Sequence, residues 1–204
     1  MAAAVTAFGL LIANWFQGCQ TKKAADAAAG AASVAKQTMH IDQRAWLGVV
    51  VGRGPIEIGQ LLKPPIRIAD TGRTPAVHMH GNIVINLLGE KEEPDFSYGH
   101  GHPAYEIYGN DLLPNLPQDF SFAVLPKYVP PDRPLNPIVV TDSVKRDIEN
   151  GTSYIVVHGE IFYDDVFGVH HWIRFCNYAQ NASGFREQSV ANNCGSYNDT
   201  DTNN

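Results

Sequence analysis

Three cysteines in 204 residues, Cys19, Cys176 and Cys194, are too few for a fold built on disulfides. Cys176 and Cys194 are left with two readings: a disulfide if the chain faces an oxidising compartment, or two thiols. Basic residues are also scarce, fifteen Lys and Arg against twenty-one Asp and Glu, and they form no cluster, which argues against a nucleic-acid partner. There is no CxxC pair, no Ser-His-Asp order and no phosphate-cradling glycine loop; Gly52-Arg53-Gly54 runs into Pro55 without a βαβ context. What is present is a globular composition, 44% hydrophobic, which excludes wholesale disorder. The length suits one well-buried domain plus an appendage.

Residues 2 to 16, AAAVTAFGLLIANWF, carry no charge but fall several short of the roughly 20 that span a bilayer. Trp15 and Phe16 at the polar boundary, with Lys22 and Lys23 beyond, nevertheless favour a membrane anchor over residues 1–19. A buried helix and a lipid-modified Cys19 are the competing readings. A signal peptide is disfavoured, because basic residues before the run and a small-x-small site after it are missing. Lys22, Lys23, Lys36 and Arg44 follow the run, so the positive-inside rule expects a single-pass protein with its soluble domain in the cytoplasm. Residues 20–43 are rich in alanine, the best helix former, with only Val34, Met39 and Ile41 as large apolar side chains. They read as a juxtamembrane helix that projects and buries little.

At Arg44 the pattern changes to strands. RAWLGVVV, the pair around Asp70–Pro75, Tyr105–Leu113 and Phe120–Leu125 are strand candidates, and residues 89 to 104 a polar loop. DSVKRDIE, started by Thr141-Asp142 and stopped by Asn150-Gly151, reads as a short helix. Tyr154–Tyr178 reads as a long hairpin around the loop Asp164–Gly168, with Tyr163 opposite Val169. Alternation then places Ile155, Val157, Gly159 and Ile161 opposite Val169, His171, Ile173 and Phe175 on a core face. The opposite face is mixed, carrying Val156, His158, Glu160, Trp172 and Arg174, with Glu160 reaching Arg174 diagonally. Closely spaced short strands predict a mainly β protein, a single β-sandwich over 44–197 with a polar tail at 198–204.

Gln43-Arg44-Ala45-Trp46, the turn Thr71–Ala76, and Tyr163-x-Asp165-x-Phe167-Gly168-x-x-His171 running to Phe175-Cys176 together resemble a family of uncharacterised bacterial membrane-anchored proteins. The resemblance covers most of the chain and implies an N-terminal hydrophobic segment, an Ala/Lys-rich helix and one immunoglobulin-like β domain. The hydrophobic segment is shorter here, and the 89–104 loop richer in histidine. The family brings no activity with it.

Three sets of residues could carry chemistry. Asp70-Thr71-Gly72 matches the core of aspartic proteases, whose mechanism needs two aspartates sharing a proton; one copy would require a dimer. The competing reading is a tight turn, with Asp70 bonding the backbone and Gly72 at positive φ. Eight histidines include two His-x-His pairs: His78 and His80 on one strand face, His100 and His102 in the glycine-rich loop, a spacing that can meet a metal ion. Solvated or edge-capping histidines explain the same pattern. His171 on the apolar face should be buried against Asp165 or a loop carbonyl, with Gly168 closing the loop. The expected function is therefore a non-enzymatic interaction or scaffold domain at a membrane, with a protein partner and no cofactor. The alternatives are a metal-binding protein or metal-dependent enzyme and, more remotely, a dimeric aspartic protease.

Overall fold

The computed structural model of the chain describes residues 2–52, 54–98, 102–109, 111–130, 134–179 and 191–201, with side chains from residue 17 onward. The chain divides at Gln43 into a helical unit and a β unit. The helical unit is α1, Ala2–Gln43, and its side chains from Gln17 to Thr38 are exposed, as an alanine-dominated sequence with few large apolar groups dictates. Among the described residues no helix is long and apolar enough to cross a membrane. The charge-free run expected to act as the anchor is helical in backbone, and its side chains lie outside the described residues.

The β unit is mainly antiparallel. One sheet has the order β1 (Leu47–Val51), β2 (Pro65–Asp70), β5 (Gln118–Ser121). The other runs β4 (Tyr105–Tyr108), β3 (Val77–Gly89), β6 (Ser153–Asp164), β7 (His170–Ala179), β8 (Asn192–Asn193), with β9 (Asp199–Thr200) also on β7. The short helix α2, Asp142–Glu149, is capped by Thr141, whose hydroxyl accepts from the Val144 N–H, and ends at Asn150. Two expected strands are shorter than their sequence patterns: Tyr105–Leu113 is strand over its first four residues, and Phe120–Leu125 only as far as Ser121, with an isolated bridge from Leu125 to Asn86. Gly109, at φ +74, ends β4, and its N–H bonds to the Met79 carbonyl.

Both sheets feed one hydrophobic cluster. Ile66 and Ile68 of β2 join Ile83 and Ile85 of β3, Ile155, Val157 and Ile161 of β6, and Ile173 and Phe175 of β7. Each fully buried isoleucine contributes about 1.5–3 kcal/mol relative to exposure. The β6–β7 register pairs Tyr163 with His171, not with Val169, and Val169, expected on the core face, lies in the loop and is 39% exposed. The reason lies in the loop: the Asp165 carboxylate accepts from the Phe167 and Val169 N–H groups at 2.8 and 3.0 Å, and Gly168 takes φ +77. That turn is closed by Asp165 and Val169, so Asp164 faces His170. A shift of two residues preserves which side chains point inward, because the strand period is two. It also brings Glu160 directly opposite Arg174, at 2.7 Å.

The mixed outer face does not lie open. Phe96 stacks on Tyr197 at 4.2 Å, and the two belong to a second cluster with Val156, Cys176 and Leu88. Cys176 and Cys194 form a disulfide, with Cα atoms 5.3 Å apart, which ties the 194–198 segment to β7. Nor is the stretch from Asn198 a free tail. Asn198 accepts from the Cys176 N–H, β9 pairs with β7, and Asp201 is 3% exposed.

Candidate functional site

The chemistry-bearing side chains of the β unit concentrate where the β6–β7 hairpin turns. Consecutive residues point to opposite faces there, so Asp164-Asp165 and His170-His171 each place one member inside and one outside.

Inside, His171 is 3% exposed and lies between two carboxylates: its Nδ1 is 2.8 Å from Asp201 Oδ2 and its Nε2 3.1 Å from Asp165 Oδ2. Both ring nitrogens thus face a carboxylate oxygen at hydrogen-bond distance. Asp201 Oδ1 accepts from Arg44 Nη2 at 2.6 Å and from the Trp172 N–H at 3.2 Å. The Arg44 guanidinium and the His171 ring thus meet two buried carboxylates, Asp165 and Asp201. Burial raises the Asp201 carboxyl, but hydrogen bonds from His171 and the Trp172 N–H and the Arg44 charge outweigh it and hold the group below the ordinary carboxylate range. Tyr163, 1% exposed, donates to the Ala45 carbonyl at 3.2 Å alongside. A hydrogen-bonded Asp–His–Asp line resembles a proton relay, but the hydroxyl beside it, Thr200 Oγ1, is engaged with the Trp172 carbonyl. With the side chains of His171, Asp165 and Asp201 at 1–3% exposure, a substrate has no access. The arrangement clamps the two ends of the β unit, Arg44 and Asp201, to the hairpin loop.

Outside, Asp164 receives two exposed imidazoles. His78 Nδ1 is 3.0 Å from its Oδ2, and His170 Nδ1 bonds its Oδ1. The His78 bond does most to hold the Asp164 carboxyl below its ordinary range; His170 adds to this, against the opposing effect of burial. His78 is at φ +54, inside a bulge where the β3–β6 register shifts between Val77 and His80, and its N–H donates to Asp111 Oδ1 at 3.2 Å. The bulge undoes the expected His78–His80 pair. His80 turns its Nδ1 to the His78 carbonyl and stacks on Phe162 at 5.4 Å. His102 lies 3.4 Å from Asp95, and His100 is outside the described residues. Among the described residues no group of three or more His, Cys, Asp or Glu side chains could hold a metal ion.

Asp70 is fully buried; its Oδ1 accepts from the Trp46 and Gly72 N–H groups at 3.0 and 2.8 Å, and its Oδ2 is buried without a hydrogen bond. A second copy cannot bring its own aspartate to a carboxylate sealed in this way. Gly72 is not at positive φ; a side chain there is excluded because its Cβ would lie 2.2 Å from the Arg44 carbonyl oxygen. His158, read from alternation as an outward residue, is 0% exposed beneath Phe96, Tyr98 and Tyr197, with neither ring nitrogen hydrogen-bonded. Burial pushes it down from 6.5 to about 4, opposed by the Asp95 charge. Local sequence held no signal for this roof, which is assembled from segments far apart in the chain.

An open groove lies beside β4, an edge strand. A groove of about 390 Å³ is lined by Asp111, Leu112, Leu113, Leu116, Pro117 and Gln118. Leu113 and Leu116 are 50% and 61% exposed, and Tyr108 at the end of β4 is 70% exposed. Comparison of the chain with protein-family models, curated proteins and solved structures finds no match.

Proposed function

We propose that residues from Arg44 onward form an immunoglobulin-like β-sandwich that acts as a non-enzymatic interaction domain, binding an extended segment of a protein partner along β4. The observation that carries this reading is the groove with exposed Leu113 and Leu116 next to an edge strand. Edge backbone groups can accept an added strand while the groove takes one of its side chains. The buried Asp165, His171 and Asp201 side chains, in contrast, are spent on one another.

Attachment to a bacterial membrane through residues 2–16 belongs to the same proposal, supported by the charge-free run and by Trp15 and Phe16 at its end. The Cys176–Cys194 disulfide favours an oxidising compartment for the domain over the cytoplasmic side that the flanking lysines suggest. Crosslinking in native membranes tests the interaction. A Leu113→Asp/Leu116→Asp variant, altered only at exposed positions, should fold normally and lose the crosslinked partner. An identical crosslinking pattern for both proteins would refute the groove as the binding surface. Carbonate extraction of membranes tests the anchor, since release of the full chain into the soluble fraction is incompatible with it.

A further inference from the structure

We propose that the Cys176–Cys194 disulfide is a redox latch: intact, it holds the segment carrying Tyr197 closed over His158, and its reduction by a dithiol opens that segment and exposes the imidazole. His158 sits directly opposite Cys176 across β6 and β7. It is 0% exposed, and neither ring nitrogen has a hydrogen-bond partner among the described residues. A buried imidazole that bonds to nothing is better off in water, so its cover is held against a standing tendency to open. That cover is aromatic: the Phe96 ring centre lies 5.1 Å from that of His158, and those of Tyr98 and Tyr197 lie 6.0 Å away. Phe96 and Tyr98 come from the loop after β3, and Tyr197 from the segment that Cys194 ties to β7.

Tyr197 is at φ +62, a conformation that a tyrosine does not adopt unless it is held there. The disulfide holds the segment covalently. The Cys194 N–H to the Cys176 carbonyl and the Cys176 N–H to Asn198 Oδ1, both 2.9 Å, and the Tyr98–Tyr197 hydroxyl pair at 2.7 Å can each be exchanged for bonds to water. Charged groups nearby give the His158 ring no bond: Asp95 acts on it through its charge, and the Arg174 guanidinium, paired with Glu160, lies 5.8 Å from the Tyr197 ring centre. The latch is reached through Cys194. Cys176 is sealed, whereas Cys194 is partly exposed and lines an open pocket of about 270 Å³ with Glu90, Tyr154 and Tyr178. A thiolate of the reductant attacks Cys194 Sγ, the S–S bond breaks, and Cys176 leaves as a thiolate that takes up a proton. The second thiol of the reductant, as its thiolate, then displaces Cys194, which is protonated in turn. The dithiol ends as its own disulfide, and the two electrons it gives up leave two thiols on the chain.

Modification of the full chain by diethyl pyrocarbonate at neutral pH, mapped histidine by histidine by mass spectrometry, tests this in a Cys19→Ser background, which leaves no thiol outside the disulfide. In the oxidised chain His158 and His171, both buried, should be protected, while His78 and His170, 79% and 88% exposed, react. After reduction with dithiothreitol and capping of the new thiols with iodoacetamide, modification of His158 should rise by about tenfold or more while His171 stays protected. Tyr197→Ala, with the disulfide intact, should expose His158 without any reductant. A His158 that reacts as fast as His170 in the oxidised chain, or stays protected in the reduced and capped chain, overturns the proposal. So does a His171 that becomes reactive together with His158, because reduction then unfolds the domain instead of opening one segment. Protection of His158 in Tyr197→Ala overturns it as well, since Tyr197 would not be the cover.

Discussion

Replacing Asp201 by alanine separates two views of the C-terminal residues sharply. If the stretch were a solvated tail, the change would stay within about 0.5 kcal/mol, as surface substitutions do. In the structure Asp201 is instead the acceptor for Arg44 at 2.6 Å, His171 at 2.8 Å and the Trp172 N–H at 3.2 Å, with its side chain 1% exposed. Its removal leaves the buried Arg44 guanidinium without its carboxylate, and one His171 ring nitrogen and the Trp172 N–H without their partner. Breaking a buried ion pair from one side costs about 3–5 kcal/mol, and nothing at this depth is screened by solvent. Urea denaturation at neutral pH, followed by near-ultraviolet circular dichroism, gives the measurement. With a slope of about 2 kcal/mol per molar urea, the midpoint should fall by about 2 M. Asp199→Ala, two residues away and exposed, is the matched control and should barely move it. If the two variants have the same midpoint, Asp201 is not buried in an ion network and the clamp between Arg44 and the hairpin does not exist.

His158 makes stability depend on pH in a defined window. Its folded-state value is lowered from 6.5 to about 4, so the unfolded chain binds the proton first; the contribution is complete above pH 6.5 and lost on descending toward 4, on the order of 3 kcal/mol. His158→Leu should flatten that part of the pH–stability curve, and an unchanged slope would mean that the ring is hydrated. Reducing the Cys176–Cys194 disulfide, which spans 18 residues, should cost about 3 kcal/mol, read as a lowered melting temperature in dithiothreitol; equal melting with and without reductant would contradict the bond. The glycines should respond differently: Gly168→Ala meets open space at φ +77 and should cost about 1–2 kcal/mol, whereas Gly72→Ala drives a Cβ to 2.2 Å from backbone and should cost about 3 kcal/mol or more. Denaturant midpoints decide the order, and a milder Gly72 variant would show that the Arg44 backbone can move aside.

Where the determinants are local, the sequence was sufficient. Alanine richness makes α1 a helix without reference to any other element, and Thr141 with Asn150 bounds α2 through bonds within a few residues. The period of two put Ile161, His171 and Ile173 on the inner face of the hairpin, and a register displaced by two could not disturb that assignment. The tertiary structure decided what depends on contacts between distant segments. Asp201 reaches its partners across 30 and 157 residues, and no local pattern marks such an aspartate as anything but tail. His158 follows the same alternation as the half-buried Glu160 and Phe162 and is sealed because Phe96, Tyr98 and Tyr197 pack against it. A single bulge at His78, invisible in a His-x-His spacing, turned His80 away and gave Asp164 two imidazoles from different strands. Backbone periodicity can be read in one dimension, but which loop covers a face, and which carboxylate neutralises a buried cation, is settled only when the chain closes on itself.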